Sequence, residues 1–195
     1  MGREKVENAP PEAYKINLPT KITLLRILLV PFLLAFLIAP SRVNALMAAL
    51  IFAGAALTDW LDGHLARSTQ QVTTLGKLLD PIADKILLAA GLIPLVGLGR
   101  VPAWMAATML IREFAVSGLR EIAAAEQVII HSSPMAKAKT ALQIAAILFL
   151  ILNYQSWPLT FYTVGMGLLI LSLVLSLVSG VEYYSKCRRG LQYRW

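Results

Sequence analysis

Cysteine, histidine and acidic charge are all scarce in this chain. One cysteine, Cys187, among 195 residues excludes an intrachain disulfide and fits a reducing compartment. The two histidines, His64 and His131, read as interfacial or loop residues rather than metal ligands. No apolar stretch precedes Thr23, and the first apolar run carries no small-residue cleavage site, so it reads as a retained span rather than a signal peptide. The opening MGREKV lacks the Ser or Thr that a myristoylation signal requires. There is no repeat at a fixed period and no low-complexity tract. Only 15% of the residues are charged, against 57% hydrophobic, and mean hydropathy is +0.66. A soluble globular core does not have that balance.

What is abundant is long apolar sequence. Runs of about 18 or more mostly apolar residues read as membrane-spanning helices. Six are expected, over 23–40, 44–66, 77–98, 101–123, 135–153 and 158–183. Turn residues separate them: Pro40-Ser41, the polar stretch from Ser68 to Gly76, Gly97-Leu98-Gly99, His131 to Pro134, and Asn153 to Pro158. Residues 1–15, rich in charge and proline, are expected to be a mobile polar tail, with 16–195 as a single transmembrane domain. A short interfacial helix is expected within 16–22, with Lys15 and Lys21 at the headgroups.

An even number of spans puts both termini on one side. Of the 18 Lys and Arg, only Arg42 and Arg100 fall toward the opposite side. The positive-inside rule therefore predicts cytoplasmic termini. The net charge of +7 is explained by topology, and no nucleic-acid partner is expected. Trp60, Trp104 and Trp157 fit aromatic belts at the interfaces.

Against this background, TDWLDGHLARSTQQVTTLGKLLDPIADK, residues 58–85, carries four carboxylates: Asp59, Asp62, Asp80 and Asp84. Asp59 and Asp62 share a helix face near the end of the second span. Asp80 and Asp84 share one near the start of the third. Pro81, between them, is expected in a first turn, where its missing N–H costs little. The short connection makes these helices antiparallel neighbours, so all four acids converge at the cytoplasmic interface. An ionisable group in a span costs about 2.5–3.5 kcal/mol on insertion scales, so such a cluster needs countercharge. Hard oxygen donors suit Mg²⁺ or Mn²⁺, and two metals sharing carboxylates can stabilise both oxygens of a phosphoryl displacement. Gly63 and Ala66 leave their face nearly bare for a bulky ligand, as Gly76 does across the loop. Arg67 is placed to pair with a phosphate or a base carbonyl. The plainer reading makes the acids solvated interfacial residues paired with Lys77, Lys85 and Arg67. A cation carrier and a non-enzymatic scaffold are further alternatives; a carrier wants polar residues through the membrane depth, and the outer half offers few.

The stretch reads D-x2-D-G-x2-A-R-x8-G-x3-D-x3-D, through Asp59, Asp62, Gly63, Ala66, Arg67, Gly76, Asp80 and Asp84. This resembles the signature of the CDP-alcohol phosphotransferases, integral membrane enzymes of phospholipid synthesis. The likeness covers nearly the whole chain after residue 16. NLPTKITLLRILLVPF, IREFAVSGLRE, AKAKTA and SGVEYY are similar to members whose acceptor is sn-glycerol 3-phosphate. The resemblance implies an all-α, six-span, homodimeric enzyme of the bacterial cytoplasmic membrane. It would transfer a phosphatidyl group from CDP-diacylglycerol, using two divalent cations and releasing CMP. Inositol phosphate or serine as acceptor is the alternative within the family.

The same resemblance implies roles. Asp59, Asp62 and Asp80 would hold one metal; Asp59, Asp80 and Asp84 the other, with Asp84 as general base. Gly63, Arg67 and Thr73 would contact the nucleotide, and Thr20 and Thr23 would close over it. A glycerol phosphate acceptor needs cations. Arg112, about 16 Å into the fourth span at 1.5 Å per residue, should face a cavity or a partner. Arg120, Lys137 and Lys139 complete a candidate phosphate clamp, with snorkelling as the plainer account of Lys139. Glu113 is read as a local helix-surface partner.

Overall fold

The computed structural model describes residues 18–39, 41–69, 74–126, 134–153 and 160–192, apart from the side chains of 59–78 and a few at helix ends. Among the described residues all regular structure is helical: α1 (Leu18–Ile38), α2 (Arg42–Thr69), α3 (Thr74–Gly97), α4 (Ala103–Ala125), α5 (Pro134–Leu152) and α6 (Thr160–Gln192). The expected tail, 1–15, lies outside this part.

Local chemistry sets the helix ends. Ser41 opens α2: its Oγ accepts the Asn44 N–H at 3.0 Å, satisfying a first-turn donor. Gly99 closes α3 with φ +67°, a conformation a side chain would resist. The Arg100 N–H then bonds Leu95 O at 2.9 Å and Gly99 N–H bonds Val96 O at 3.0 Å, which satisfies the last carbonyls of the helix. Arg100 itself reaches across to α5, donating to Leu150 O at 2.9 Å and Ile151 O at 3.0 Å. One of the two basic residues on the sparsely charged side is thus a cap for a neighbouring helix.

Three expectations shift. Residues 18–22, expected to belong to a separate interfacial helix, are the first residues of α1 and run on into the first span. Pro81 is not in a first turn: α3 begins at Thr74, so Pro81 is interior and withholds the N–H that would bond the Lys77 carbonyl. The last helix runs on to Gln192. Its 33 residues span about 50 Å, beyond a hydrocarbon core of about 30 Å.

Helix α1 lies against both α2 and α3, α5 packs along α6, and α4 bridges α3 and α6. The buried positions of α1 are Thr20, Thr23, Arg26, Val30, Leu33 and Leu37, a single stripe at spacings of three and four. In α5 the buried stripe runs Lys139, Gln143, Ala146, Ile147, Leu150, Ile151. Both stripes are apolar at one end and polar at the other, so the bundle has a dry half and a polar half. In the dry half α5 and α6 approach closely: a Cβ at Gly165 would lie 2.9 Å from Leu150 Cγ.

The outside of the bundle is apolar. Ile38, Val43, Leu50, Ile93, Ile111 and Val181 each expose more than half of their surface. Helices Thr20–Ile38 and Thr160–Arg189 are long and apolar enough to cross a membrane. Faces this apolar around the whole bundle need lipid rather than water as their solvent. The molecule is an all-α membrane protein.

Candidate active site

The polar end of the α5 stripe lines a cavity of about 340 Å³ enclosed by α2, α3, α4, α5 and α6. That volume is at the small end of ligand sites, about 300–1,000 Å³. Two charged groups of opposite sign line it.

The acidic group comes from α3. Asp80 and Asp84 are four residues apart, one helical turn, and both reach the cavity wall. Each is held from behind by α1. Thr23 Oγ1 donates to Asp80 Oδ1 at 2.6 Å, and Arg26 Nη1 donates to Asp84 Oδ1 at 2.6 Å. Arg26 is only 2% exposed, so its charge is shielded from water and is met by the Asp84 carboxylate. A buried guanidinium is costly unless paired, and an anionic cluster is costly unless offset. The Arg26–Asp84 contact relieves both. Thr20, at the N-terminal end of that polar stripe and also buried, stands one turn before Thr23 on the same face of α1.

The basic group comes from α4 and α5. Arg112 sits near the middle of α4, where its Nη2 donates to Ser179 Oγ of α6 at 2.8 Å. Room for it is made by Gly180, whose Cβ would lie 3.2 Å from Arg112 Nε. Arg112 Nη1 and Lys139 Nζ both donate to Glu113 Oε1, the former at 3.3 Å. Glu113 is therefore not a local surface partner. It ties α4 to α5 and holds two cations of the wall in fixed positions. Lys139 is 5% exposed and does not snorkel outward. Arg120 lines the cavity with its guanidinium 5.9 Å from the Tyr183 ring centroid, a cation–π contact across to α6. Lys137 is exposed and does not line the cavity, so of the four cations grouped from sequence the structure brings Arg112, Arg120 and Lys139 to one wall.

The side chains of Asp59, Asp62, Gly63, Ala66, Arg67 and Gly76 lie outside the described residues, as does Thr73 altogether. Their backbone positions, Thr73 excepted, belong to α2 and α3. Asp59 through Arg67 stand on one uninterrupted helix, with Asp59, Asp62, Gly63 and Ala66 at spacings that share a face.

Sequence reading passed over Arg26 as a topological charge and Glu113 as a surface residue. For Arg26 the signal was present: it falls on the three-and-four stripe that runs through Val30, Leu33 and Leu37. For Glu113 there was none, because its partner Lys139 is 26 positions away.

Donor chemistry is consistent with divalent cations. Asp80 and Asp84 present hard carboxylate oxygens from one turn of one helix to a common cavity. With a cationic cluster on the same wall, the cavity is suited to a small anion with phosphate at one end.

Comparison with known proteins agrees with this chemistry. Residues 16–178 match the CDP-alcohol phosphatidyltransferase family. A Bacillus subtilis protein named CDP-diacylglycerol–glycerol-3-phosphate 3-phosphatidyltransferase is 39% identical over 182 residues, covering 87% of this chain and 94% of the relative. Proteins of the same name are 36% identical in Rickettsia bellii, covering 89% of this chain and 96% of the relative, and 38% identical in Shigella flexneri, covering 91% and 98%. The chain belongs to the CDP-alcohol phosphatidyltransferase family.

Proposed function

We propose that the protein transfers the phosphatidyl group of CDP-diacylglycerol to sn-glycerol 3-phosphate, giving phosphatidylglycerol phosphate and CMP. The relatives bear that activity in their names. The observation that carries it on this chain is a single cavity with Asp80 and Asp84 on one part of its wall and Arg112, Arg120 and Lys139 on another. A lipid pyrophosphate belongs at the acids and an acceptor phosphate at the cations.

Enzymes of this family generally use divalent cations. Asp59, Asp62, Asp80 and Asp84 would hold them, and the bound cations would supply positive charge to the pyrophosphate oxygens. The remaining work belongs to the chain. Arg112 and Lys139 bind the acceptor phosphate and so orient its primary hydroxyl. Asp84 takes the proton of that hydroxyl as its oxygen attacks the phosphorus bearing diacylglycerol. A P–O bond forms to the acceptor, the P–O bond to CMP breaks, and CMP leaves with the electron pair. Thr23 and Arg26 keep the two α3 carboxylates in position throughout. Gly63, Ala66, Arg67, Thr73 and Gly76 would form the nucleotide's side of the site.

Six spans, with the termini and the site on the cytoplasmic side of a bacterial membrane, complete the reading. The Lys and Arg asymmetry supports that orientation. The test is an acceptor panel. Purified protein, CDP-diacylglycerol and Mg²⁺ or Mn²⁺ should release CMP with glycerol 3-phosphate and not with inositol phosphate or serine. Release with either of those in its place overturns the acceptor assignment.

A further inference from the structure

Gln143 is a buried polar residue that the mechanism above does not use. It stands one helical turn from Lys139 on the inner face of α5 and lines the cavity. It is 3% exposed, and its Nε2 is a buried donor with no hydrogen-bond partner among the described residues. Native interiors rarely leave such a donor unmatched; Nε2 has almost no accessible surface, so a turn of the cavity-lining carboxamide would bring it to an incoming acceptor atom. An apolar residue would have filled the same volume at no desolvation cost.

The chemistry of the neighbours narrows what that atom is. Five cations line the cavity, Lys85, Arg112, Arg120, Lys139 and Lys186, and these are its groups for a phosphate. The cations are the stronger partners for a phosphate, which leaves the neutral amide donor for a neutral oxygen. Side chains one turn apart on a helix have Cβ atoms about 5–6 Å from each other. A phosphate on Lys139 therefore brings the carbon chain of a short acceptor within reach of Gln143. We propose that Gln143 is a specificity residue for the acceptor, its Nε2 donating to the central, C2 hydroxyl of glycerol 3-phosphate. The inference rests on the acceptor assignment above and says which part of that acceptor the site reads. Glycerol 3-phosphate offers a phosphate to the cations, a primary hydroxyl to Asp84, and the C2 hydroxyl to Gln143.

The experiment pairs two acceptors with two variants. 1,3-Propanediol monophosphate keeps the phosphate and a primary hydroxyl and lacks the C2 hydroxyl. For the unaltered enzyme, kcat/KM should fall about ten- to hundredfold on this acceptor, as expected when a buried donor is left unpaired. Gln143→Leu and the more nearly isosteric Gln143→Met should show a similar fall with glycerol 3-phosphate and little further fall with the propanediol phosphate. Multiplying losses in whichever variant retains the parent's thermal transition in detergent would overturn the proposal, because the amide would then act independently of the hydroxyl. So would an unaltered enzyme that uses both acceptors equally well. Failure of the acceptor assignment has a separate signature: no CMP release from the unaltered enzyme with glycerol 3-phosphate.

Discussion

Arg26 is the residue whose role depends most on its surroundings. Its sequence context is an apolar helix, yet its guanidinium is buried against Asp84, 58 positions away. Arg26→Met should remove the contact by which α1 positions Asp84. Misplacement of a catalytic group by about 1 Å can cost about a hundredfold in rate. We expect kcat to drop by about that factor with the KM for glycerol 3-phosphate nearly unchanged, measured by CMP release; a rise in KM alone would refute the positioning role. Arg112 should behave in the opposite way. A hydrogen bond to a charged group contributes about 1.5–3 kcal/mol, so Arg112→Ala should raise the KM for glycerol 3-phosphate about ten- to hundredfold. An effect confined to the lipid substrate would remove Arg112 from the acceptor site. Arg112 was legible in the sequence because a mid-span arginine needs a cavity or a partner. Glu113 was not, since only packing of α4 on α5 brings Lys139 to it.

At the scale of elements, most helix ends were legible to within about three residues, except the start of α1 and the end of α6. Apolar runs bounded by Pro, Ser and Gly are set by local chemistry, and Gly99 and Ser41 act where they stand. Helix α3 begins three residues before the expected 77, because residues such as Thr74 and Gly76 extend the helix without adding to the apolar run. Helix pairing was less legible. Gly165 marks a close approach of α5 and α6, with Leu150 Cγ 2.9 Å and Phe149 Cβ 3.0 Å from the position of an added Cβ. Overpacking costs about 1–3 kcal/mol, while Ala for Gly in a helix returns up to about 1 kcal/mol. Gly165→Ala should therefore lower the Tm in detergent. Gly167→Ala, with nothing within 4 Å of the added carbon, should leave it unchanged or raise it slightly. Equal shifts for the two would show that α5 and α6 are not tightly packed there.

For the whole molecule, the apolar exterior and the charge asymmetry together require a lipid environment and imply an orientation. Lys21, at the start of α1, and Ala103, at the start of α4, are exposed and belong to opposite ends of the bundle in the six-span reading. In a Cys187→Ala background, an impermeant thiol reagent should label Lys21→Cys in inverted vesicles and Ala103→Cys in right-side-out cells. The reverse pattern would invert the topology and move the site to the outer face. By itself the sequence determined the solvent, the helices and the eight spaced positions of the family motif, because hydropathy, caps and helical spacing act over a few residues. Tertiary structure alone decided the Arg26–Asp84 and Glu113–Lys139 contacts and the Gln143 donor in the cavity wall, buried and unpaired among the described residues. Those depend on which helix lies against which, and the lipid-facing and inward-facing sides of such helices are both apolar. Hydropathy therefore carries little information about their pairing.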